Sequence, residues 1–135
     1  MKRFFVIFIV FFCGCSRNVN LNCSSVDNGF IFGSRTVNDV ISFNDDKIIS
    51  FKRGVYFDVN GDVDIDIKDV YKIVKLEGKA LKKYIGGRYK IMNSDGIHMI
   101  FTSKKFNNLK YTGIDSGYGY DEVLGVYNEL GFSCK

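Results

Sequence analysis

The sequence contains no proline, no tryptophan and a single histidine, His98. Without proline, a collagen-like or proline-rich arrangement is excluded, and one histidine excludes a zinc site built from several histidines. The sequence also lacks a highly charged segment of the kind that stays disordered. A chain of 135 residues with 19 Lys plus Arg against 15 Asp plus Glu has room for about one domain.

The first 15 residues contain the three parts of an export signal. Residues 1–3 are a basic start, residues 4–12 are an apolar run, and Cys13-Gly14-Cys15 is a small-residue exit. A helix over this apolar run rises about 14 Å, roughly half of a bilayer's hydrocarbon core, so a stable transmembrane anchor is disfavoured. Removal of residues 1–14 takes away two cations and no acid, which lowers the formal charge of +4 by two.

The segment Phe12-Cys13-Gly14-Cys15 resembles the lipobox of bacterial lipoproteins, in which the cysteine after a small residue is lipidated and becomes the mature N-terminus. The resemblance implies that Cys15 carries the lipid, palmitate included, and anchors the chain to a membrane. Ser16 follows, and in Gram-negative lipoproteins a residue other than aspartate there implies the outer membrane, facing the periplasm. The alternative is an ordinary secretory signal, which gives a secreted or periplasmic protein.

One pair of cysteines remains when Cys13 is removed and Cys15 is acylated. In an oxidising envelope compartment, Cys23 and Cys134 are expected to form a disulfide. This bridge would close nearly the whole mature chain, a constraint of up to about 4.7 kcal/mol in the chain-entropy model.

Composition divides the mature chain into two parts. Residues 15–28 are rich in Asn and Ser and have no period, which predicts a lipid anchor followed by a flexible tether. From residue 29 to residue 135, apolar residues recur without a linker or a repeat. This pattern predicts a single globular domain.

Three segments have helical character. The clearest precedes Gly131, where apolar residues repeat at i, i+3, i+4 and i+7 after two acids. A second helix is expected over residues 77–85, and a third, shorter one from Ser34, whose β-branched residues also allow a strand. The pattern leaves residues 69–76 open between helix and strand. The apolar residues of the helix that precedes Gly131 are Val123, Val126, Tyr127 and Leu130.

A hairpin is predicted where residues 88–93 and 97–102 flank Ser94-Asp95-Gly96. A three-residue loop with a left-handed glycine pairs Ile91 with Met99 and Tyr89 with Phe101, which collects the large apolar groups on one face. A third strand over residues 109–112 would extend this meander. The expected fold class is therefore α+β, an antiparallel sheet packed against two or three helices in one domain.

The acidic segment over residues 58–69, DVNGDVDIDIKD, allows two structures. A hairpin with a three-residue loop over residues 59–61 pairs Phe57 with Val63 and Val55 with Ile65, and it leaves the aspartates on a solvated face. The hairpin is favoured, because a β-branched Val63 is costly at the tight turn of a calcium loop.

The alternate oxygen-bearing residues of the same segment resemble the calcium loop of dockerin modules, the EF-hand-like repeats of cellulosome enzymes. The resemblance implies a bound Ca²⁺, which takes six to eight oxygen ligands. Asp64 would contribute its carbonyl. The side-chain ligands would be Asp58, Asn60, Asp62, Asp66 and Asp69. No other cofactor is indicated.

Signals for catalysis are weak. His98 falls on the strand face opposite Met99, no serine lies in a nucleophile elbow, and no free cysteine remains to be activated. The glycine-rich stretch over residues 113–120 lacks the lysine of a phosphate loop. Nucleic-acid binding is disfavoured by the near-neutral mature charge. The sequence therefore predicts no enzyme and indicates no small-molecule substrate.

The expected function is that of a membrane-anchored, non-catalytic module that binds another envelope protein. It would act as an immunity or inhibitor protein, or as an accessory of a secretion or pilus machine. A calcium-binding module is the alternative, and a cell-wall-active enzyme is the third hypothesis.

Acids are concentrated before residue 70 and bases after it, which suits recognition by charge complementarity. The expected partner surface comprises Asp62, Asp64, Asp66, Tyr118 and Tyr120.

Overall fold

A computed structural model describes residues 17–30, 33–59, 66–94, 96–104 and 109–135. The elements in chain order are β1 (Asn18–Phe30), β2 (Gly33–Asn44), β3 (Lys47–Val59), α1 (Ile67–Tyr84), β4 (Arg88–Ser94), β5 (Gly96–Ser103), a 3₁₀ helix (Lys110–Thr112), α2 (Tyr120–Glu129) and β6 (Ser133–Cys134). The strands form one antiparallel sheet in the order β4-β5-β3-β2-β1-β6. The chain is thus a single α+β domain, as predicted, with the sheet as its larger part.

The prediction of a tether over residues 15–28 is wrong for residues 18–28, which belong to β1. Burial alternates along this segment, because Leu21 and Cys23 are buried while Asn20 and Asn22 are exposed. Asparagine is a poor strand residue on its own. Pairing with β2 along almost its whole length makes β1 a strand.

The helix predicted from Ser34 is also wrong, and the strand alternative holds. Val37 and Ile41 of β2 are buried at a spacing of four residues, and the residues between them alternate inward and outward. A spacing of four fits a strand as well as a helix. The segment forms a strand because it pairs with β1 on one side and with β3 on the other.

The turn between β2 and β3 holds the start of α2. Asp45 and Asp46 adopt positive φ of 48° and 62°, a region that non-glycine residues rarely occupy. The Tyr120 backbone N–H donates to Asp46 Oδ1 at 2.7 Å, so a carboxylate lies at the positive end of the helix. Gly119 leaves room for it, because a Cβ there would overlap the Asp46 carboxylate.

The hairpin predicted for the acidic segment is wrong. Val55 pairs with Val37 on one side and with Met99 on the other, and Phe57 pairs with Arg35 and Ile97. Both edges of β3 are therefore occupied. Residues 60–65 lie outside the described part of the chain, and α1 follows them.

Helix α1 is longer than predicted, since it begins at Ile67 rather than at residue 77. Asp66 is its N-cap, with Oδ1 accepting the Lys68 N–H at 2.9 Å. Leu81 is buried, whereas Tyr84 is half exposed. Gly78 allows the close approach of the helix to β4, because a Cβ would lie 2.6 Å from the Tyr89 ring.

The hairpin of β4 and β5 is confirmed, including the pairs of Ile91 with Met99 and Tyr89 with Phe101. Gly96 has the positive φ that the predicted loop requires, while Asp95 lies outside the described residues. The third strand predicted over residues 109–112 is wrong. Lys110–Thr112 is a 3₁₀ helix that ends at Gly113.

The C-terminal helix and its end are confirmed as α2. Gly131 adopts a φ of 82°, and the Phe132 N–H donates to the Tyr127 carbonyl at 3.0 Å, as in a Schellman motif. The disulfide between Cys23 and Cys134 is confirmed as well, and it joins β1 to β6. One hydrophobic core lies between the helices and one face of the sheet.

Candidate functional site

One face of the sheet is not covered by the helices. We call this the outer face. No outward-pointing side chain on β1 to β5 that the structure describes is buried, whereas the inward-pointing residues form the core. A sheet face without a covering layer is available for a partner or a ligand.

The outer face has two halves of different chemistry. Over β1 and β2 the described side chains are uncharged, and apart from Val26 and Val40 they are amides and hydroxyls. Over β3, β5 and β4 the face is basic and partly apolar, and its described charged residues are Lys47, Lys52, Arg88, Lys90 and, at the far end, Asp58. The amides and hydroxyls are Asn18, Asn20, Asn22, Ser24, Asn28, Ser34, Thr36, Asn38, Ser42 and Asn44.

The two halves meet at a cavity of about 290 Å³ above Gly54, which we call the Gly54 hollow. Gly54 is on the central strand β3, between Asn38 of β2 and Ile100 of β5. The rings of Tyr56 and His98 form one wall, with their centroids 4.3 Å apart. The remaining side chains around the hollow are Asn38, Val40, Lys52 and Ile100.

The fold does not require a glycine at position 54. Gly54 is not among the glycines with positive φ, and a Cβ there would meet the nearest Asn38 atoms at 3.7 and 4.0 Å, which is ordinary contact. Glycine inside a strand costs roughly 0.5–1 kcal/mol relative to alanine. In a strand it often marks a site that a ligand or another backbone approaches closely.

A second depression of about 320 Å³ adjoins the hollow and shares Asn38 and Val40 with it. It extends across β1 to β6, where Lys135 lies at its end. The backbone of Lys135 is held by two hydrogen bonds to Asn22, of 2.8 and 3.0 Å. Together, the two depressions form a groove that crosses the strands from β6 to β5.

A buried charged cluster lies on the opposite side of the same strands. Arg53 donates through Nε and Nη2 to the two oxygens of Asp39, at 2.8 and 2.6 Å. Tyr127 of α2 donates its hydroxyl to Asp39 Oδ2 at 2.6 Å. Asp39 is only 1% exposed, and no buried side-chain polar atom in the described residues lacks a partner. This cluster is closed to a ligand and serves the fold.

The cluster shifts the pKa of two of its members. Burial alone would lower the pKa of the Arg53 guanidinium, but the hydrogen bond and charge of Asp39 raise it above its ordinary value. Burial, together with the nearby Asp39 carboxylate, raises the pKa of the Tyr127 hydroxyl. Arg53 therefore stays charged and Tyr127 neutral throughout the physiological range.

The partner surface predicted from the sequence is not brought together. Tyr120 lies beside the β2–β3 turn, where its ring contacts Phe43 at 5.4 Å, and Tyr118 is half-buried against the core. Asp66 begins α1 beyond the other end of β3. Asp62 and Asp64 lie outside the described residues. The tyrosines and Asp66 are therefore at opposite ends of the sheet.

The predicted calcium ligands are described only in part. Asp58 is exposed on β3, and Asp69 in the first turn of α1 pairs with Lys72 at 2.9 Å. Asn60, Asp62 and Asp64 fall outside the described ranges. Within those ranges no group of three or more His, Cys, Asp or Glu side chains is placed to hold a metal ion.

His98 is on the outer face, as the sequence indicates, but its role in the hollow was missed. The buried pair was missed too, although a signal exists. Arg53 falls at an inward position of the alternating run from Phe51 to Phe57, and Asp39 does so between Val37 and Ile41. Opposite charges at core positions of two neighbouring strands indicate a buried ion pair.

Substitution Tyr127→Phe tests the cluster through the pH dependence of stability. The folded wild type keeps this phenol neutral above pH 10, while the unfolded chain ionises it near that pH. The stability that Tyr127 contributes is therefore present below pH 10 and lost above it, by about 1.4 kcal/mol per pH unit. We expect Tyr127→Phe to lower the free energy of unfolding by about 1–3 kcal/mol at pH 7 and to have a flatter stability curve above pH 10, measured by urea unfolding.

The half-exposed Tyr111→Phe is the control and should follow the wild-type slope. Equal alkaline slopes for wild type and Tyr127→Phe would contradict this account.

Comparison with known proteins finds no family model, no curated protein and no solved structure that matches this chain. The features that bear on function are therefore the outer face, the Gly54 hollow and the ends of the sheet.

Proposed function

We propose that this chain is a lipid-anchored protein of the bacterial cell envelope that binds another envelope protein through the outer face of its sheet, without catalysing a reaction. The observation that carries the proposal is the outer face itself, with a groove across it and a cavity above a glycine that the fold does not need. An immunity or inhibitor protein and an accessory of a secretion or pilus machine are the two roles that fit such a module.

The N-terminal strand gives the proposed anchor a definite geometry. Only Ser16 and Arg17 separate Cys15 from β1, and they span about 10 Å at most. The Arg17 backbone is held by two hydrogen bonds to Asp45, each of 3.2 Å. A lipid on Cys15 would therefore hold the β2–β3 turn close to the membrane, with the strands rising from it and the outer face accessible from the side.

In the described part of the chain, neither helix combines the length and the apolar composition needed to cross a bilayer. Attachment through Cys15 supplies the anchor in this proposal. One acyl chain binds a membrane only marginally, so stable attachment requires a second chain or another membrane-binding signal.

Substitution Cys15→Ala should abolish incorporation of labelled palmitate and release the protein from the membrane fraction, because the thiol that carries the lipid is gone. Cys13→Ala is the matched control and should remain labelled, since Cys13 leaves with the signal. Palmitate labelling and membrane flotation measure the two effects. Labelling that persists in Cys15→Ala would contradict the lipobox assignment.

The binding surface can be tested with a photo-crosslinking residue, p-benzoylphenylalanine, introduced one position at a time in living cells. At Thr36, on the outer face, we expect one discrete crosslinked product with an envelope protein. At Lys75, exposed on α1, we expect none. A product from Lys75 alone, or no product from Thr36, would overturn the proposal.

The second candidate, a calcium-binding module, is supported by the order of elements around the acidic segment. The hairpin that competed with it is excluded, because β3 has partners on both edges. The segment instead runs from a strand into α1, with Asp66 as N-cap and Asp69 in the first turn. These two residues occupy the last two ligand positions that the dockerin resemblance assigns.

Titration calorimetry with Ca²⁺ tests this candidate on the intact chain. If the loop binds calcium, the Kd is expected in the range of extracellular modules, about 10⁻⁴–10⁻³ M, and Ca²⁺ at one hundred times Kd should stabilise the fold by about 2.7 kcal/mol. Asp69→Asn should remove the heat of binding, whereas Asp121→Asn, in the first turn of α2, should retain it. The absence of both heat and a shift in melting temperature at about 0.1 M Ca²⁺, one hundred times the upper Kd, would eliminate the candidate.

A further inference from the structure

We propose that the Gly54 hollow receives a glutamate side chain from an acidic segment of the partner protein, with the Lys52 ammonium as counter-ion. The inference rests on the proposed function and adds to it the chemistry of the partner.

The first support is that Gly54 has no structural reason to be glycine, in contrast to Gly78 and Gly119. Gly78 is required by the Tyr89 ring, and Gly119 by the Asp46 carboxylate. Gly54 has neither a positive φ nor a neighbour that excludes a Cβ. Because Gly54 has no side chain, the space of the hollow on the outer face stays open.

The second support is charge. Lys52 precedes Gly54 by two residues on the same face of β3, about 7 Å along the strand. Lys90 pairs with Ile100 of β5, which in turn pairs with Gly54, so Lys90 lies two strands away in the same row of the sheet. Arg88 lies in the neighbouring row, which contains Lys52. None of these three cations takes part in an ion pair among the described residues. Because the basic half of the outer face lacks acids near the hollow, an acidic segment is its electrostatic complement.

The third support is the set of side chains that line the hollow. Val40 and Ile100 offer apolar walls for the two methylene groups of a glutamate, and the Tyr56 and His98 rings bound one end. The Asn38 amide offers an N–H donor, and the Lys52 ammonium offers a charged one. A carboxylate on a short aliphatic stem matches this set better than an amide or an aliphatic side chain.

The first experiment fills the hollow and compares folding with binding. Gly54→Val should leave the melting temperature unchanged or raise it by about 2–4 °C, because a β-branched residue suits a strand. It should reduce the crosslinked product from Thr36 at least tenfold. Gly125→Ala is the matched control. Gly125 is exposed on α2 with open space around it, so its replacement should leave the yield unchanged.

Lys52→Gln is the second variant and keeps the proposal testable if Gly54→Val folds poorly. It removes the counter-ion without filling space, and it should weaken binding about tenfold. A full crosslinking yield from a folded Gly54→Val protein, or from Lys52→Gln, would overturn the inference and leave the proposed function standing.

The second experiment tests the chemical class with defined probes. A fluorescein-labelled octaglutamate peptide should bind the wild-type protein at low salt, as measured by fluorescence anisotropy, and Gly54→Val should weaken it at least tenfold. Octaglutamine should not bind. Octaglutamate binding that Gly54→Val leaves unchanged would reflect general positive charge and would overturn the inference. Binding of polygalacturonate but not of octaglutamate would overturn it in favour of an anionic glycan.

The two proposals fail in distinguishable ways. If the wild type gives no crosslink from Thr36, the protein-binding function fails. If the crosslink forms but octaglutamate does not bind, only the acidic partner segment fails.

Discussion

The buried pair of Asp39 and Arg53 is the interaction on which the rest of the structure depends. It joins β2 to β3 at directly opposed positions, and Tyr127 ties α2 to the same carboxylate. Removal of one partner from a buried ion pair typically costs about 3–5 kcal/mol, because the other charge is left without a counter-charge. The pair thus fixes the register of the central strands, because a slip of one residue by either strand would move its charge to the outer face and leave the other charge buried alone.

The same row of the sheet connects its two edges. Cys134, Cys23, Asp39, Arg53, Phe101 and Tyr89 are successive register partners from β6 to β4. The disulfide closes the row at one end and the Tyr89 ring packs on Gly78 of α1 at the other. Because side chains alternate along a strand, Gly54 follows Arg53 on the opposite face. The charged pair that anchors the core therefore lies next to the hollow that is open to a partner.

Local patterns predicted the elements whose partners are close in sequence. The hairpin of β4 and β5 and the end of α2 depend on a glycine loop and a C′ glycine, which act over a few residues. The wrong predictions concern segments whose structure depends on partners that are distant in sequence. Residues 18–28 became a strand through β2, and the acidic segment could not return as a hairpin because β5 occupies that edge of β3.

The sequence by itself determined the α+β class and the helix at the C-terminus, because alternation, helical spacing and the glycines that end helices are properties of neighbouring residues. It determined the cysteine pair through the number of cysteines. It contained Gly54, Lys52 and His98 but not their proximity. Only the tertiary structure decided that β3 lies at the centre of the sheet, that both helices cover one face, and that the other face carries a groove. Those features arise from pairing between strands that are distant in sequence, which no local pattern encodes.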